Sequence, residues 1–291
     1  MTSPDGLVVV DKPQGLTSHD VVARIRRLAE TRKVGHAGTL DPMATGVLVV
    51  GVGRATRLLG HLAATDKRYE ATIRLGQSTL TDDAEGEVVS QASAAAVSEQ
   101  AVLAGIAALT GDLEQVPSSV SAIKVDGQRA YKRVREGEAV ALPPRPVTVS
   151  RFDVVGRRRP TTELLDVDVV VECSTGTYIR ALARDLGAAL GTGGHLTALR
   201  RTRVGVFGID QAHTLQSLAQ TFSVVDLDAA VAAAFPRRDL LADEATAVSH
   251  GRPLPIGAET GPTGVFGPDG QVLAVMSPAG GQLRVLVGFV G

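Results

Sequence analysis

Short runs of aliphatic, β-branched residues, each cut off by Gly, Pro or Asp, set the first limit on what this chain can fold into. Gly6-Leu7-Val8-Val9-Val10 is stopped by Asp11-Lys12-Pro13, and Val47-Leu48-Val49-Val50 follows a Gly-rich stretch. Both runs read as buried strands. Tyr69, Ala71, Ile73 and Leu75 alternate with Glu70, Thr72 and Arg74, a period-two strand with one wet face. Strands are also expected at 147–155 and 163–173. Between these runs lie helical stripes. Ser18, a plausible N-cap, precedes Val21, Val22, Ile25, Leu28 and Ala29. Ser98 caps Val102, Leu103, Ile106 and Leu109, and Gly111 ends that helix. Ser174-Thr175-Gly176 opens a third, with Ile179, Leu182, Ala183 and Leu186 on its buried stripe, ending near Gly191. The order follows no regular βαβ alternation. The fold class expected is α+β, with a central mixed or antiparallel sheet flanked by helices.

The core of such a sheet must be aliphatic here, because the chain has six Phe, three Tyr and no Trp. Cys173 is the only cysteine, which excludes an intrachain disulfide and a cysteine-based metal site or redox pair. No charged segment leads into an apolar signal core, and no run approaches the ~18 apolar residues of a membrane span. A cytoplasmic protein is the expectation.

A net charge of −1 speaks against a uniformly basic nucleic-acid binder, but the charge is unevenly spread. Residues 226–291 carry four Arg against seven acids, whereas 117–160 hold ten Lys or Arg against four acids. Residues 117–147 begin with Pro117-Ser118-Ser119 and finish in Pro143-Pro144-Arg145-Pro146, with a short basic helix expected around Ala130 to Glu136. This stretch holds little core material and reads as a projecting insertion. Phosphate contact needs a patch of this kind; a solvated basic face is the plainer alternative. After about residue 225 the composition changes again. Val272–Met276 and Leu283–Val287 read as a hairpin around Ser277-Pro278-Ala279-Gly280-Gly281. The expected division is one domain at 1–225 and a small β-rich one at 226–291.

The stretch with chemical potential is Gly35-His36-Ala37-Gly38-Thr39-Leu40-Asp41-Pro42-Met43-Ala44-Thr45-Gly46. Three glycines free the backbone for unusual turns and close ligand approach. Pro42 biases Asp41 away from helix, so an acid is held on a stiffened turn before a buried strand. Locally this is also what an ordinary Asp-Pro turn looks like. A phosphate-cradling P-loop is excluded, because no Gly-Lys-Ser/Thr follows at the required spacing.

Val34 to Val49 resembles the signature of the bacterial tRNA pseudouridine synthases that modify uridine 55 of the TψC loop. Four further segments resemble motifs of that family, in family order across roughly residues 7–205. They are Asp11-Lys12-Pro13-Gln14-Gly15-Leu16-Thr17-Ser18, Asp66-Lys67-Arg68-Tyr69, Gly176-Thr177-Tyr178-Ile179-Arg180, and Gly194-His195-Leu196 through Leu199-Arg200-Arg201.

The resemblance implies a pseudouridine-synthase-like catalytic domain and an isomerase needing no cofactor; His195 lacks His or Cys partners at metal-like spacing, so no metal is expected. It implies Asp41 as nucleophile, Arg180 as its charged partner, and Tyr69 stacking on a flipped uridine with a hand in proton transfer. Tyr178 would line the same pocket. His36, Leu199 and Lys12 would bind substrate. Lys124, Arg129, Lys132, Arg133 and Arg135 of the insertion would meet phosphates of the tRNA TψC stem-loop. Many members end in a β-barrel of the PUA type; the short acidic tail here implies a reduced version. The protein would act as a monomer. Chemistry makes these residue types sensible: the target base must be flipped out of the RNA stack and needs an aromatic face, and an acid in a drying pocket needs a cation beside it.

Two other readings stay open at this level. One is a non-catalytic RNA-binding or RNA-folding module, which has no need of the Asp41, Tyr69 and Arg180 set. The other is a guide-RNA-dependent relative that shares part of the motif pattern.

Overall fold

A computed structural model of the chain describes residues 4–118, 124–125, 128–129 and 142–290. They form an α+β structure whose chain divides into two units. The first comprises Met1–Leu40, Val47–Ala63 and Val204–Gly291; the second comprises Asp41–Gly46 and Ala64–Arg203.

In the first unit the aliphatic runs form strands Gly6–Lys12, Val34–Ala37 and Thr45–Val52, as their β-branched content requires. Val34–Ala37 pairs antiparallel with the far end of Thr45–Val52. The helix Ser18–Leu28 buries Val21, Val22 and Ile25. Its N-cap is Thr17, not Ser18. Thr17 Oγ accepts from the Asp20 amide at 3.1 Å, and the Asp20 carboxylate accepts from the Thr17 amide at 2.9 Å, a reciprocal capping box. The Thr17–Asp20 spacing allowed this cap, and only the backbone turn decided between neighbouring hydroxyls. Ser18 is instead buried. Its hydroxyl donates to the Leu40 carbonyl and accepts from the Leu40 amide, at 3.1 and 2.8 Å, fastening the residue before Asp41.

The tail builds a five-stranded sheet, in the order Arg237–Asp239, Thr263–Phe266, Val272–Ala279, Gln282–Gly288 and Leu254–Pro255. The expected hairpin is present and antiparallel. One face of this sheet packs Leu273, Ala274 and Met276 with Leu240, Val248 and Leu254. From the other face Phe266, Val272, Val275, Val287 and Phe289 share a core with Leu7, Val9, Val47, Val49 and Leu58. Arg54 adds a hydrogen bond to the Phe289 carbonyl at 2.7 Å.

The second unit is a sheet with helices. Its strands run in the order Gly194–Val204, Lys67–Leu75, Leu164–Cys173, Arg145–Thr161 and Gly111–Gln115, the last four joined antiparallel. Alternation places Ala71, Ile73 and Leu75 with Val167, Val169 and Val171 on the buried side. The helix Ile179–Ala189 buries Leu182 and Leu186, and meets the helix Glu99–Ala108 where Gly105 leaves room for the Leu186 side chain. That first helix starts five residues later than Ser174 suggested. Tyr178 is the N-cap residue, and Gln115 pins its backbone by accepting from the Tyr178 amide at 2.8 Å and donating to the Tyr178 carbonyl at 3.1 Å. The opposite side of the sheet carries ion pairs. Arg74 grips the buried Asp166 with two hydrogen bonds of 2.7 and 2.8 Å, and Arg203 meets Glu172 at 3.0 Å.

The short basic helix expected around 130–136 lies outside the described residues. Lys124 and Arg129 fall on two-residue strands that pair with each other.

Thr45 and Gly46 pair in parallel with Arg200 and Arg201, which makes the sheet mixed. Gly46 has φ +98, and a Cβ there would lie 2.1 Å from the Arg201 carbonyl oxygen. Only glycine suits both demands. Gly46→Ala is expected to destabilise the protein by more than about 2 kcal/mol, seen as a fall in the urea midpoint at unchanged slope.

Candidate active site

Asp41 and Arg180, drawn from sequence segments far apart, meet in the second unit. Arg180 Nε lies 3.1 Å from Asp41 Oδ2 and 3.6 Å from Asp83 Oδ2. Its Nη1 donates to the Thr81 carbonyl at 2.8 Å. Arg180 and Asp83 side chains are only 5% and 4% exposed, whereas Asp41 is 38% exposed. One buried guanidinium therefore bridges a buried carboxylate and a carboxylate open to solvent.

Each member is held locally. Arg180 sits on the first turn of Ile179–Ala189, a helix start pinned by Gln115. Asp41 sits on a turn closed by the Ala44 amide on the Asp41 carbonyl at 3.1 Å. Glu85 braces the same turn by accepting from the Met43 amide. Burial raises the Glu85 carboxyl above its ordinary value, the Asp83 and Asp41 charges add to this, and the Met43 bond opposes it. Asp83 is caged by its own loop: Thr79 Oγ donates to its carbonyl at 2.7 Å, the Glu85 amide donates to its carboxylate at 3.1 Å, and the Thr81 hydroxyl donates to the same oxygen. Asp82 adopts φ 59, and its carbonyl accepts from the Leu196 amide at 3.1 Å.

Tyr69 is buried on the Lys67–Leu75 strand and hydrogen-bonded to Arg201. Burial lifts its phenol above the ordinary value; the Arg201 bond pulls it down, and the Asp41 charge adds to the rise. Arg201 is 1% exposed, the largest fully buried side chain among the described residues. Lys67, also buried, is driven down to about 8, first by burial and then by the charge of Arg201. Burial likewise pushes the Cys173 thiol up to about 11, so it is protonated at neutral pH. Leu199 is buried on the strand that carries Arg201, two residues away and so on the same face. Tyr178 is half-buried at the helix start.

The first unit holds the other two named residues. Lys12 is fully buried and donates to the carbonyls of Leu16 and Pro13 at 2.6 and 3.1 Å. His36, on Val34–Ala37, is half-buried with its ring 5.6 Å from that of His19, edge to face. Lys132, Arg133 and Arg135 lie outside the described residues, as do the Lys124 and Arg129 side chains. Among the described residues no cluster of His, Cys, Asp or Glu is arranged to hold a metal. None of their helices is long and apolar enough to cross a membrane.

Sequence reasoning missed Asp83, Thr81 and the burial of Arg201. The Thr79-Leu80-Thr81-Asp82-Asp83 run, with adjacent acids after a strand, was the available signal for the first two. Arg201 lay within the Leu199-Arg200-Arg201 motif, but nothing in its Arg-Arg-Thr-Arg run marked its side chain for burial.

Comparison with known proteins places the chain. The profile described as "TruB family pseudouridylate synthase (N terminal domain)" matches residues 26–179. "tRNA pseudouridylate synthase B C-terminal domain" matches 180–234, and "tRNA Pseudouridine synthase II, C terminal" matches 235–290. The tRNA pseudouridine synthase B of Arthrobacter sp. (strain FB24) is 61% identical over 98% of this chain and 96% of its own. That of Thermobifida fusca (strain YX) is 62% identical over 99% of both. A solved Cbf5-Nop10-Gar1 complex contains a chain 26% identical, with TM-score 0.74, over 96% of this chain and 83% of that one. The fold is that of a pseudouridine synthase. Within that class, the chain belongs to the TruB family.

Removing Arg180 leaves the buried Asp83 charge unmatched. Arg180→Ala is expected to cost about 3–5 kcal/mol in urea unfolding, and Arg180→Lys less, since it keeps the charge and loses the fork.

His195 gives a pH signature. It is buried, its Nδ1–H donates to the Gln77 carbonyl at 3.1 Å, and burial holds its pKa below the ordinary 6.5. The unfolded chain then binds the proton more readily than the folded one. Stability is full above 6.5 and falls as the pH drops through the window below it. His195→Gln is expected to flatten that acid limb in thermal melts.

Proposed function

We propose that this chain is an isomerase that converts uridine 55 in the TψC loop of tRNA to pseudouridine, without cofactor or metal. The observation that carries this is the Asp41–Arg180 contact: a carboxylate open to solvent, backed at 3.1 Å by a buried cation fixed on other partners. Membership of the TruB family and the printed names of the relatives support the substrate class.

The reaction breaks the N1–C1′ bond, turns the base, and joins C5 to C1′. N1 gains a proton and C5 loses one, so no electrons are exchanged. The uridine is flipped from its loop to reach the site. Asp41 then stands beside the sugar and base, where it can attack C1′, add to C6, or assist elimination at the ribose. Each route uses it as an anion, and Arg180 balances that charge as water is excluded. Tyr69 stacks on the base and exchanges a proton at the sugar or C5. Tyr178 and Leu199 line the pocket.

His36 and Lys12 serve substrate binding, His36 by filling space that the flipped base leaves. Lys124, Arg129, Lys132 and Arg133 position the stem-loop through its phosphates, and RNA shape supplies specificity. Residues 1–225 form the catalytic domain and 226–291 a reduced PUA-like one. The protein works as a cytoplasmic monomer.

Purified protein with an unmodified TψC stem-loop, labelled with tritium at C5, is expected to release tritium with no guide RNA, partner protein or metal added. No release overturns the reading. Asp41→Asn should slow single-turnover release by about a thousandfold or more while changing the RNA Kd less than about threefold.

A further inference from the structure

A buried arginine in a sheet needs a reason, because its guanidinium must be paired to be tolerated away from water. Arg201 occupies a particular place. Its strand lies between two others that carry site residues. On one side, Arg201 pairs with Gly46, whose missing Cβ lets the Arg201 carbonyl approach; Gly46 closes the six-residue Asp41–Gly46 segment. On the other side lies the Lys67–Leu75 strand with Tyr69. The Arg201 backbone thus holds the segment that begins with Asp41, and its side chain reaches the Tyr69 phenol.

The direction of that hydrogen bond is fixed by chemistry. A guanidinium has donors only, so the phenol oxygen accepts from Arg201. The phenol's own O–H must then point elsewhere.

We propose that Arg201 is the positioning residue for Tyr69, holding the phenol oxygen as an acceptor so that its O–H is left to act on the flipped uridine. This rests on the pseudouridine synthase reading above. In this proposal Arg201 acts through Tyr69.

The test compares Arg201→Gln, Arg201→Lys, Tyr69→Phe and the Arg201→Gln/Tyr69→Phe double variant, in full-length protein. Single-turnover release and stem-loop Kd are measured for each. Arg201→Gln is expected to slow release about tenfold or more in the wild-type background, with Kd changed less than about threefold. In the Tyr69→Phe background the same change should alter the rate less than about twofold, since the group it positions is gone. Arg201→Lys should recover part of the rate. Equal losses in both backgrounds overturn the proposal and make Arg201 a purely structural residue.

A second readout needs no activity. With three tyrosines in the chain, fluorotyrosine labelling gives three fluorine NMR signals, and Tyr69→Phe identifies one of them. Arg201→Gln or Arg201→Lys should move that signal and leave the Tyr178 signal in place. An unmoved Tyr69 signal in folded protein overturns the proposal. If the wild type releases no tritium, the functional reading fails, while the fluorine spectrum still decides whether Arg201 holds Tyr69.

Discussion

Everything in the second unit that bears on chemistry is organised around the Arg180 guanidinium. It is buried, so it must be paired, and it is paired three ways: with Asp41, with Asp83 and with the Thr81 carbonyl. Two of those partners belong to a tight loop that cages its own carboxylate. The third is the one acid of the set that faces solvent. A charge held on the buried side by Asp83 and Thr81 has little freedom to move, so the position of Asp41 is set by a fixed point. The free-energy cost of burying these groups is offset only while all of them are present.

The sheet supplies the second constraint. Period-two alternation gives the Lys67–Leu75 strand an apolar side that includes Tyr69, and an opposite side that meets the Asp166 ion pairs. The parallel pairing of Thr45-Gly46 with Arg200-Arg201 brings the end of the Asp41 segment alongside the strand that follows His195. It demands a glycine at 46 because two backbones come closer there than a side chain permits. The chain's poverty in aromatics is consistent with this construction: the packing is aliphatic, and Tyr69 is placed by polar contacts as well as by burial.

Much of the fold was legible. The aliphatic runs became strands and the apolar stripes became helices, because periodicity reports which side is buried whatever the partner. Boundaries were less legible. Thr17 and Ser18 are both good cap residues, and the choice lay in which hydroxyl the backbone turned toward the amides. The start of Ile179–Ala189 was missed for a related reason: its N-cap residue, Tyr178, is pinned by Gln115, more than sixty residues away. For the candidate site, the motifs named Asp41, Tyr69 and Arg180 one at a time, from three segments. Asp83 and the burial of Arg201 were missed, since local pattern does not mark a charged residue that will be buried.

The sequence by itself determined the element types, the aliphatic core, the absence of an internal disulfide, and an acid held on a proline-stiffened turn. These follow from side-chain chemistry and local backbone limits, which act over a few residues. Tertiary structure alone decided that Arg180 lies 3.1 Å from Asp41, that Asp83 shares it, and that Arg201 reaches Tyr69. Those contacts join residues from about a hundred to about a hundred and forty positions apart, and their strength comes from burial. No local pattern can report burial that exists only once distant strands have paired.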